Sequence, residues 1–468
     1  MRMRVMFLFI GIVLVHALFN QSLQLHFDEA YYWVWGQNLQ LSYFDHPPMI
    51  AYLIRLSNCL GHSEFFVRLP AIVCGSATAS LIFATARRLF GVKAANIALI
   101  LLLALPIFEG TLFIMTIDSP LLCFWSLTLY CVVRGFIERD RPFIYAAGVA
   151  LGLDLLSKYT AVLILPGILL FLLISPRSRP QLWHKDIYLA LILALIVFSP
   201  VLIWNYQHDW SSFRFQLHHG IAQDRQINFL SLLDYLGALI GAANPFVSMP
   251  LLVFLVLKRK QIVGDDRYLL LCSIFLFVVL FFAYNSLYKF MEANWVVPAF
   301  MSGVIFLGQC LAEYKIRWIQ RCAIGIILIV LPFCKMPTRL IPANYQNKIP
   351  AIDAFVGHRQ LYQQIKSNFI HPQDVLLACD YGAASRGWYY LGLGRVYVLS
   401  NFKFSHSYAD WNNGLQLPIK QAIYFCASND AEYLQQLRPY FSEIKALSTV
   451  VFHSSLANNQ LYVYRLSN

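Results

Sequence analysis

The sequence predicts a polytopic α-helical membrane protein with a small α/β segment at its C-terminal end. Two observations carry that prediction. Of 468 residues, 59% are hydrophobic and only 13% are charged, a balance with too little polar surface to cover a soluble protein. The apolar residues also fall in runs long enough to cross about 30 Å of hydrocarbon. A third observation sets the boundary: beyond residue 334 the long apolar runs give way to short alternating segments.

The first element, MRMRVMFLFIGIVLVHALFN, has a basic start and an apolar body. It has no clear small-x-small cleavage site before His26, so it reads as an uncleaved first span. About eleven spans are expected by length. They lie near 5–22, 67–86, 94–110, 119–136, 142–157, 159–175, 187–204, 231–257, 268–284, 295–311 and 318–334. The fifth is short and holds Asp154.

Basic residues set the direction. With the N-terminus in the cytoplasm, the inner loops hold Arg2 and Arg4, then Arg87, Arg88 and Lys93, then Arg134, Arg139 and Arg141. The next three hold Arg177, Arg179 and Lys185, then Lys258, Arg259, Lys260 and Arg267, then Lys315, Arg317 and Arg321. Far fewer, Arg55, Arg68, Lys158, Arg214, Arg225 and Lys289, fall in or beside outer loops. An odd number of spans then puts the tail outside. The chain divides into a membrane part, 1–334, with an amphipathic first outer loop at 23–66, and an α/β part, 335–468. In the tail, DVLLACD, RVYVLS, QAIYFCAS and QLYVYRL read as strands, and AASRGWYYLG and DAEYLQQLRPYFSEI as helices.

The net charge of +12 punctuates the ends of apolar runs and forms no stripe, which argues against a nucleic-acid partner. Cys74, Cys123, Cys131, Cys272 and Cys310 stand singly in apolar runs and read as small buried hydrophobes. Cys379 and Cys426 each end a strand-like run, and either a disulfide or two thiols fits them. The chain shows neither a Walker loop nor a GxGxxG motif, which argues against a nucleotide-driven pump or a nucleotide-sugar site.

The polar residues converge in this topology. The first outer loop, HFDEAYYWVWGQNLQLSYFDHPPM, carries Asp28, Glu29, Asp45 and His46. The second carries Glu109 and Asp118, the third Lys158 and Tyr159, the fourth His208 and Asp209, and the fifth Lys289, Glu292 and Asn294. Charges at a hydrocarbon boundary are costly unless paired or used, so their placement on one face suggests a site. Each has a simpler reading. Asp28 and Glu29 suit a helix N-terminus, and Tyr31, Tyr32, Trp33 and Trp35 suit an interfacial aromatic belt. Pro47 and Pro48 stop one helix and start another, and Lys158 suits a snorkelling lysine. The shared face, more than any single residue, favours a lipid-phosphate substrate: a tail among the spans, a phosphate on Lys, Arg or His, and a carboxylate as base.

Together FDEAYYWVWGQ, YFDHPPMIAYLIRL, TIDSPLLCFWSL, GLDLLSKYTAVLILPG and KFMEANWVVPA resemble the bacterial branch of the protein O-mannosyltransferase-like glycosyltransferases. That group lies in the GT-C superfamily and includes the aminoarabinose and galacturonate transferases of lipid A. The resemblance runs from about residue 5 to 335. It implies a GT-C fold and an inverting transfer from a polyprenyl-phosphate sugar at the periplasmic face of a bacterial inner membrane. Lipid A or another envelope glycolipid is the implied acceptor, with a protein hydroxyl as the runner-up. A lipid-linked-sugar transporter is the rival outside enzymes, though a transporter should hold its polar groups near the bilayer midplane.

The resemblance also distributes roles. It makes Asp28 the catalytic carboxylate, with Glu29 beside it, and puts the second acidic motif at Asp118. Asp45, His46, Pro47 and Pro48 stand where the aminoarabinose branch has Glu-Lys-Pro-Pro. Asp45 is therefore a candidate ligand of a divalent metal, and His46 a candidate for the lipid phosphate or the metal. Tyr31 stands where that branch has an arginine, leaving Lys158 or Lys289 to supply the cation. Tyr159, Glu292 and Asn294 complete the expected donor-binding set.

Overall fold

Long apolar stretches become helices because hydrocarbon offers the backbone no other hydrogen-bond partners. A computed structural model of the chain describes residues 2–220, 227–335, 354–398, 407–411, 418–429, 431–453 and 458–468. Arg225, residues 336–353 at the start of the tail, and the last two residues of RVYVLS lie outside them. Contacts divide the chain into two units, one of Met1–Leu18, His46–Ile50 and Arg68–Cys334, the other of Phe19–Asp45, Ala51–Val67 and Lys335–Asn468. This grouping differs from the linear division at 334: most of the loop 23–66 clusters with the tail.

The helices run in order α1 (Arg2–Phe19), α2 (Phe27–Gln37), α3 (Met49–Asn58), α4 (Glu64–Phe90), α5 (Val92–Leu103) and α6 (Pro106–Phe113). Then come α7 (Asp118–Val132), α8 (Pro142–Leu155), α9 (Ile164–Ile174), α10 (Lys185–Gln207), α11 (Ser211–Gly220) and α12 (Phe229–Ala242). The last of the helical part are α13 (Pro245–Leu257), α14 (Arg259–Gly264), α15 (Asp266–Ser286), α16 (Val297–Glu313) and α17 (Trp318–Lys335).

Among the described residues, five helical stretches are long and apolar enough to cross a membrane: Glu64–Phe90, Asp118–Ile137, Lys185–Gln207, Asp266–Ser286 and Ala293–Glu313. Two further pairs qualify together but bend, α5 with α6 by 74° and Phe229–Gly241 with α13 by 107°. Each bend has a proline at its second helix's first turn, Pro106 and Pro245, where the missing N–H is tolerated but the preceding helix cannot continue. Val5–Phe19, Pro142–Leu155, Tyr159–Ile174 and Trp318–Val330 are shorter apolar helices. Every expected apolar stretch falls on one of these helices or pairs.

Helix α10 shows why this is a multi-pass membrane protein. Ala190, Ala194 and Val201 are buried, while Leu189, Ile192, Leu195 and Ile196 are apolar and exposed. An apolar exposed face on an apolar helix belongs against lipid tails. Association in lipid depends on close backbone approach at small residues. Gly148 and Gly152 of α8 provide it: a Cβ on Gly148 would lie 2.2 Å from the Ala190 carbonyl oxygen, and one on Gly152 2.8 Å from that of Ala194.

The second unit holds a five-stranded sheet of order β2-β1-β3-β5-β4. Its strands are β1 (Val375–Ala378), β2 (Tyr397–Val398), β3 (Gln421–Cys426), β4 (Glu443–His453) and β5 (Asn458–Ser467). β1 runs parallel to β2 and β3, and β5 is antiparallel to β3 and β4. The β1–β3 register sets Ala378 opposite Phe425, so Cys379 and Cys426 follow as the next pair. They form a disulfide with Cα atoms 5.2 Å apart, inside the usual span for such a bond. Helix α18 (His358–Phe369) buries His358, Leu361, Tyr362 and Ile365, the i, i+3, i+4, i+7 stripe of an amphipathic helix. Helix α19 (Tyr381–Leu391) starts where Asp380 accepts the Ala383 N–H at 2.8 Å and ends at Gly392, in the left-handed region at φ 64°.

The α8–α10 contact makes the first prediction. Gly148→Val puts side-chain atoms where the Ala190 backbone lies, and overpacking of this kind costs about 1–3 kcal/mol. The purified variant should unfold several degrees below wild type in a thermal scan, while Gly241→Ala, which meets no neighbour within 4 Å, should not.

Candidate functional site

In the helical unit, three expected residues meet. Asp118 opens α7, where a carboxylate suits the helix dipole. Lys158 is the residue before the 3-10 turn Tyr159–Leu163, and Asn294 lies in the 3-10 turn Ala293–Val296. Lys158 Nζ donates to Asp118 Oδ1 at 2.7 Å, and Asn294 Nδ2 donates to Asp118 Oδ2 at 2.9 Å. The Asp118 and Lys158 side chains are each 8% exposed, so this lysine does not snorkel. Each carboxylate oxygen has a donor, which is what a desolvated charge requires.

Tyr159 faces a different set of partners, with its hydroxyl 2.8 Å from Ser212 Oγ and its ring against Phe213 and Phe198. His46 and Lys289 are half-buried and Glu292 is exposed. Glu109 is buried and bonded to His16 Nε2 at 2.9 Å. Asp154, near the end of α8, is fully buried, and neither carboxylate oxygen has a hydrogen-bond partner among the described residues. His208 stacks on Trp204 with ring centroids 3.9 Å apart, and Asp209 adopts φ 51°.

In the second unit, α2 begins with a capping box. The His26 backbone N–H donates to Glu29 Oε2 at 3.0 Å, and the Asp28 N–H donates to His26 Nδ1 at 3.3 Å. Glu29 is fully buried, so its placement has a structural account in holding the start of the helix. Asp28 differs. Its side chain is 37% exposed, lies 3.4 Å from His26 Nδ1, and accepts from the Tyr381 hydroxyl at 3.3 Å. Tyr31 donates to Asp45 Oδ2 at 2.7 Å and accepts the Ser407 N–H at 2.9 Å. Both phenols stay protonated. Burial, then the charge of Asp45, raises the Tyr31 pKa well above the usual tyrosine value; burial, then Asp28, does the same for Tyr381. Desolvation pushes the Asp45 carboxyl up to about 6, against the opposing hydrogen bond from Tyr31.

The metal expectation at Asp45 and His46 finds no preformed donor set. Among the described residues no three His, Cys, Asp or Glu side chains stand together as metal ligands, and Asp45 already accepts from Tyr31. Sequence reasoning missed Tyr381 and Arg386. Arg386 lies in AASRGWYYLG, read only as a helix, and Tyr381 two residues before it; the helix in fact starts at Tyr381, where the Asp380 cap and the run of small residues signal a closely packed helix start. Arg386 donates to the Ala354 carbonyl at 2.6 Å, and its guanidinium lies 5.7 Å from the Phe27 ring centre.

These features define a class. The chain resembles the GT-C glycosyltransferases in fold along nearly its whole length, and its relatives are glycosyltransferases. In particular, residues 45–204 match the family described as dolichyl-phosphate-mannose-protein mannosyltransferase. The chain is 29% identical over 282 residues to the lipid A galacturonosyltransferase RgtD of Rhizobium johnstonii, covering 59% of each protein. The match therefore spans about three fifths of that curated relative. In fold it superposes on ArnT from Cupriavidus metallidurans, in the apo state and bound to undecaprenyl phosphate. Each has a TM-score of 0.69 at 15% identity over 97% of both chains. The Archaeoglobus fulgidus oligosaccharyltransferase is more distant, with a TM-score of 0.51 at 14% identity, over 88% of this chain and 67% of its own.

Asp45 gives a pH prediction. A carboxyl with a raised folded pKa favours folding below its unfolded value, and that contribution is lost as pH rises through about 6. Asp45→Asn, which can still accept from Tyr31, should therefore unfold at a higher temperature than wild type at pH 7.5, with the gap narrowing below about pH 6 and closing only at about pH 4, the ordinary value of an unfolded carboxyl. A gap independent of pH contradicts the assignment.

Proposed function

We propose that this protein is an inverting glycosyltransferase of a bacterial inner membrane. It moves a sugar from a polyprenyl-phosphate donor to lipid A or another envelope glycolipid at the periplasmic face. The observation that carries the reading is the buried Asp118–Lys158–Asn294 group within a GT-C fold; Asp45, His46, Asp118 and Lys158 all lie in the segment matched to the mannosyltransferase family. The lipid A galacturonosyltransferase among its relatives supports the choice of acceptor. Eleven crossings with a cytoplasmic N-terminus agree with the basic residues of the alternate loops. The Cys379–Cys426 disulfide supports a periplasmic second unit, because such bonds persist in oxidising compartments.

In this reading Asp28, half-exposed and steadied by Tyr381, takes the acceptor hydroxyl proton as that oxygen attacks the anomeric carbon. The bond from that carbon to the phosphate oxygen breaks, and polyprenyl phosphate leaves with the electron pair. In the helical unit Lys158 and His46 donate hydrogen bonds to the phosphate, Asp118 holds Lys158 and Asn294 steadies Asp118, with Lys289, Glu292 and Tyr159 as further donor contacts; Tyr31 is a donor contact of the second unit. Positioning and charge neutralisation supply most of the acceleration, since the phosphate is already a good leaving group. No step is assigned to a metal.

The family description names protein mannosyltransferases, which keeps a protein hydroxyl as the second acceptor. Mass spectrometry of envelope lipids separates the two: a deletion strain should lose one sugar from one lipid, and an unchanged lipid profile contradicts the lipid acceptor. With purified protein and a lipid-phosphate sugar, Asp28→Asn should lower transfer by about 100-fold or more while the protein still folds, as loss of a positioned base predicts. Retained turnover removes Asp28 from that role.

A further inference from the structure

A second feature of the α/β unit has no part in the reaction above. A cleft of about 650 Å³ opens between α2, the residues before and at the start of α4, α18 and α19, a volume typical of small-ligand sites. Its aromatic walls are Trp33, Trp388 and Tyr389, and its polar lining includes Glu64, Arg359 and Gln363. Trp33 packs edge-to-face on Tyr389 at 5.0 Å and on Trp388 at 6.2 Å between ring centres. The Arg395 guanidinium lies 5.4 Å from the Trp388 ring centre. These contacts fix half-buried rings in place, so a ligand need not order them.

The polar side has its own order. Glu64 is buried and ion-paired to Arg359, whose side chain remains 47% exposed. The Arg359 backbone N–H is held by Gln24 Oε1 at 3.0 Å. An arginine, a carboxylate and an amide around flat aromatic walls match the surface of a pyranose ring. Its adjacent hydroxyls take paired hydrogen bonds, and its C–H face takes an aromatic side chain. Because the Arg359 charge is already balanced by Glu64, the chemistry favours a neutral sugar over an anion. The cleft is also turned away from Asp28. Five residues separate Asp28 from Trp33 on α2, about 140° around the helix axis.

We propose that this cleft is a saccharide-binding subsite that takes one or two neutral pyranose rings and is separate from the Asp28 site. Assigning those rings to the acceptor glycolipid rests on the transferase reading; the binding does not. The test is saturation-transfer NMR on the full chain in lipid nanodiscs, free of sugar detergents, with cellobiose as the neutral probe and glucuronate as the charged one. Wild type should transfer saturation to cellobiose more strongly than to glucuronate. The cellobiose signal should fall about fivefold or more in Trp388→Ala, the loss expected for a binding aromatic, and stay unchanged in Asp28→Asn. Gln363→Trp fills the cleft from an exposed position of α18 without removing core packing, and should abolish the signal even if Trp388→Ala does not fold. No transfer to cellobiose, or transfer that survives Gln363→Trp, overturns the proposal. Donor turnover measured on the same wild-type preparation reports separately on the transferase reading.

Discussion

Asp118 and Lys158 are opposite charges held 2.7 Å apart where water hardly reaches them, and the helical unit is arranged so that they meet. Removing either partner would strand a charge in a poorly solvated place, a loss of about 3–5 kcal/mol. Three chain segments must therefore arrive together: the start of α7, the turn after α8 and the turn before α16. Asn294 completes the arrangement by donating to the second carboxylate oxygen. A buried ion pair is weak support for stability by itself, since apolar residues of similar size often do as well.

The second unit holds its carboxylates by a different device. Asp28 and Asp45 are each bonded by a tyrosine hydroxyl, and burial keeps those phenols protonated. A phenol steadies a carboxylate without cancelling its charge, whereas Asp118 is paired with the cation of Lys158. The sheet behind them is tied by the Cys379–Cys426 bond, and α19 brings Tyr381 to Asp28 from the C-terminal part of the chain. That pairing is one physical reason why most of the first loop groups with residues far away in sequence.

The sequence made the helices legible, because long apolar runs leave the backbone few alternatives. It also marked Asp28, Asp118 and Lys158, since a charge beside hydrocarbon stands out by its cost, and Asn294 as a polar neighbour of Lys289 and Glu292 in the fifth outer loop. It did not show that Lys158 pairs with Asp118, or that Asn294 joins from 176 residues away. Those contacts depend on helix packing, to which hydrophobic periodicity is blind. Glu29 looked like a second catalytic carboxylate, and the structure uses one of its oxygens to cap α2. Tyr31 stood where a resemblance would put an arginine; its bond to Asp45 shows what the aromatic does there. The strand alternation around Cys379 and Cys426 left their pairing open, and only the register of β1 against β3 brought them opposite.

The claim that the Asp118–Lys158–Asn294 group serves the reaction, and not only the fold, is tested most directly by donor turnover in Asp118→Asn/Lys158→Met. This double variant leaves no lone buried charge, so it should unfold within a few degrees of wild type. The account predicts that the folded variant loses release of polyprenyl phosphate from the donor by about 100-fold or more, as removal of a preorganised charge does elsewhere. A folded double variant that turns over donor at close to the wild-type rate would contradict it.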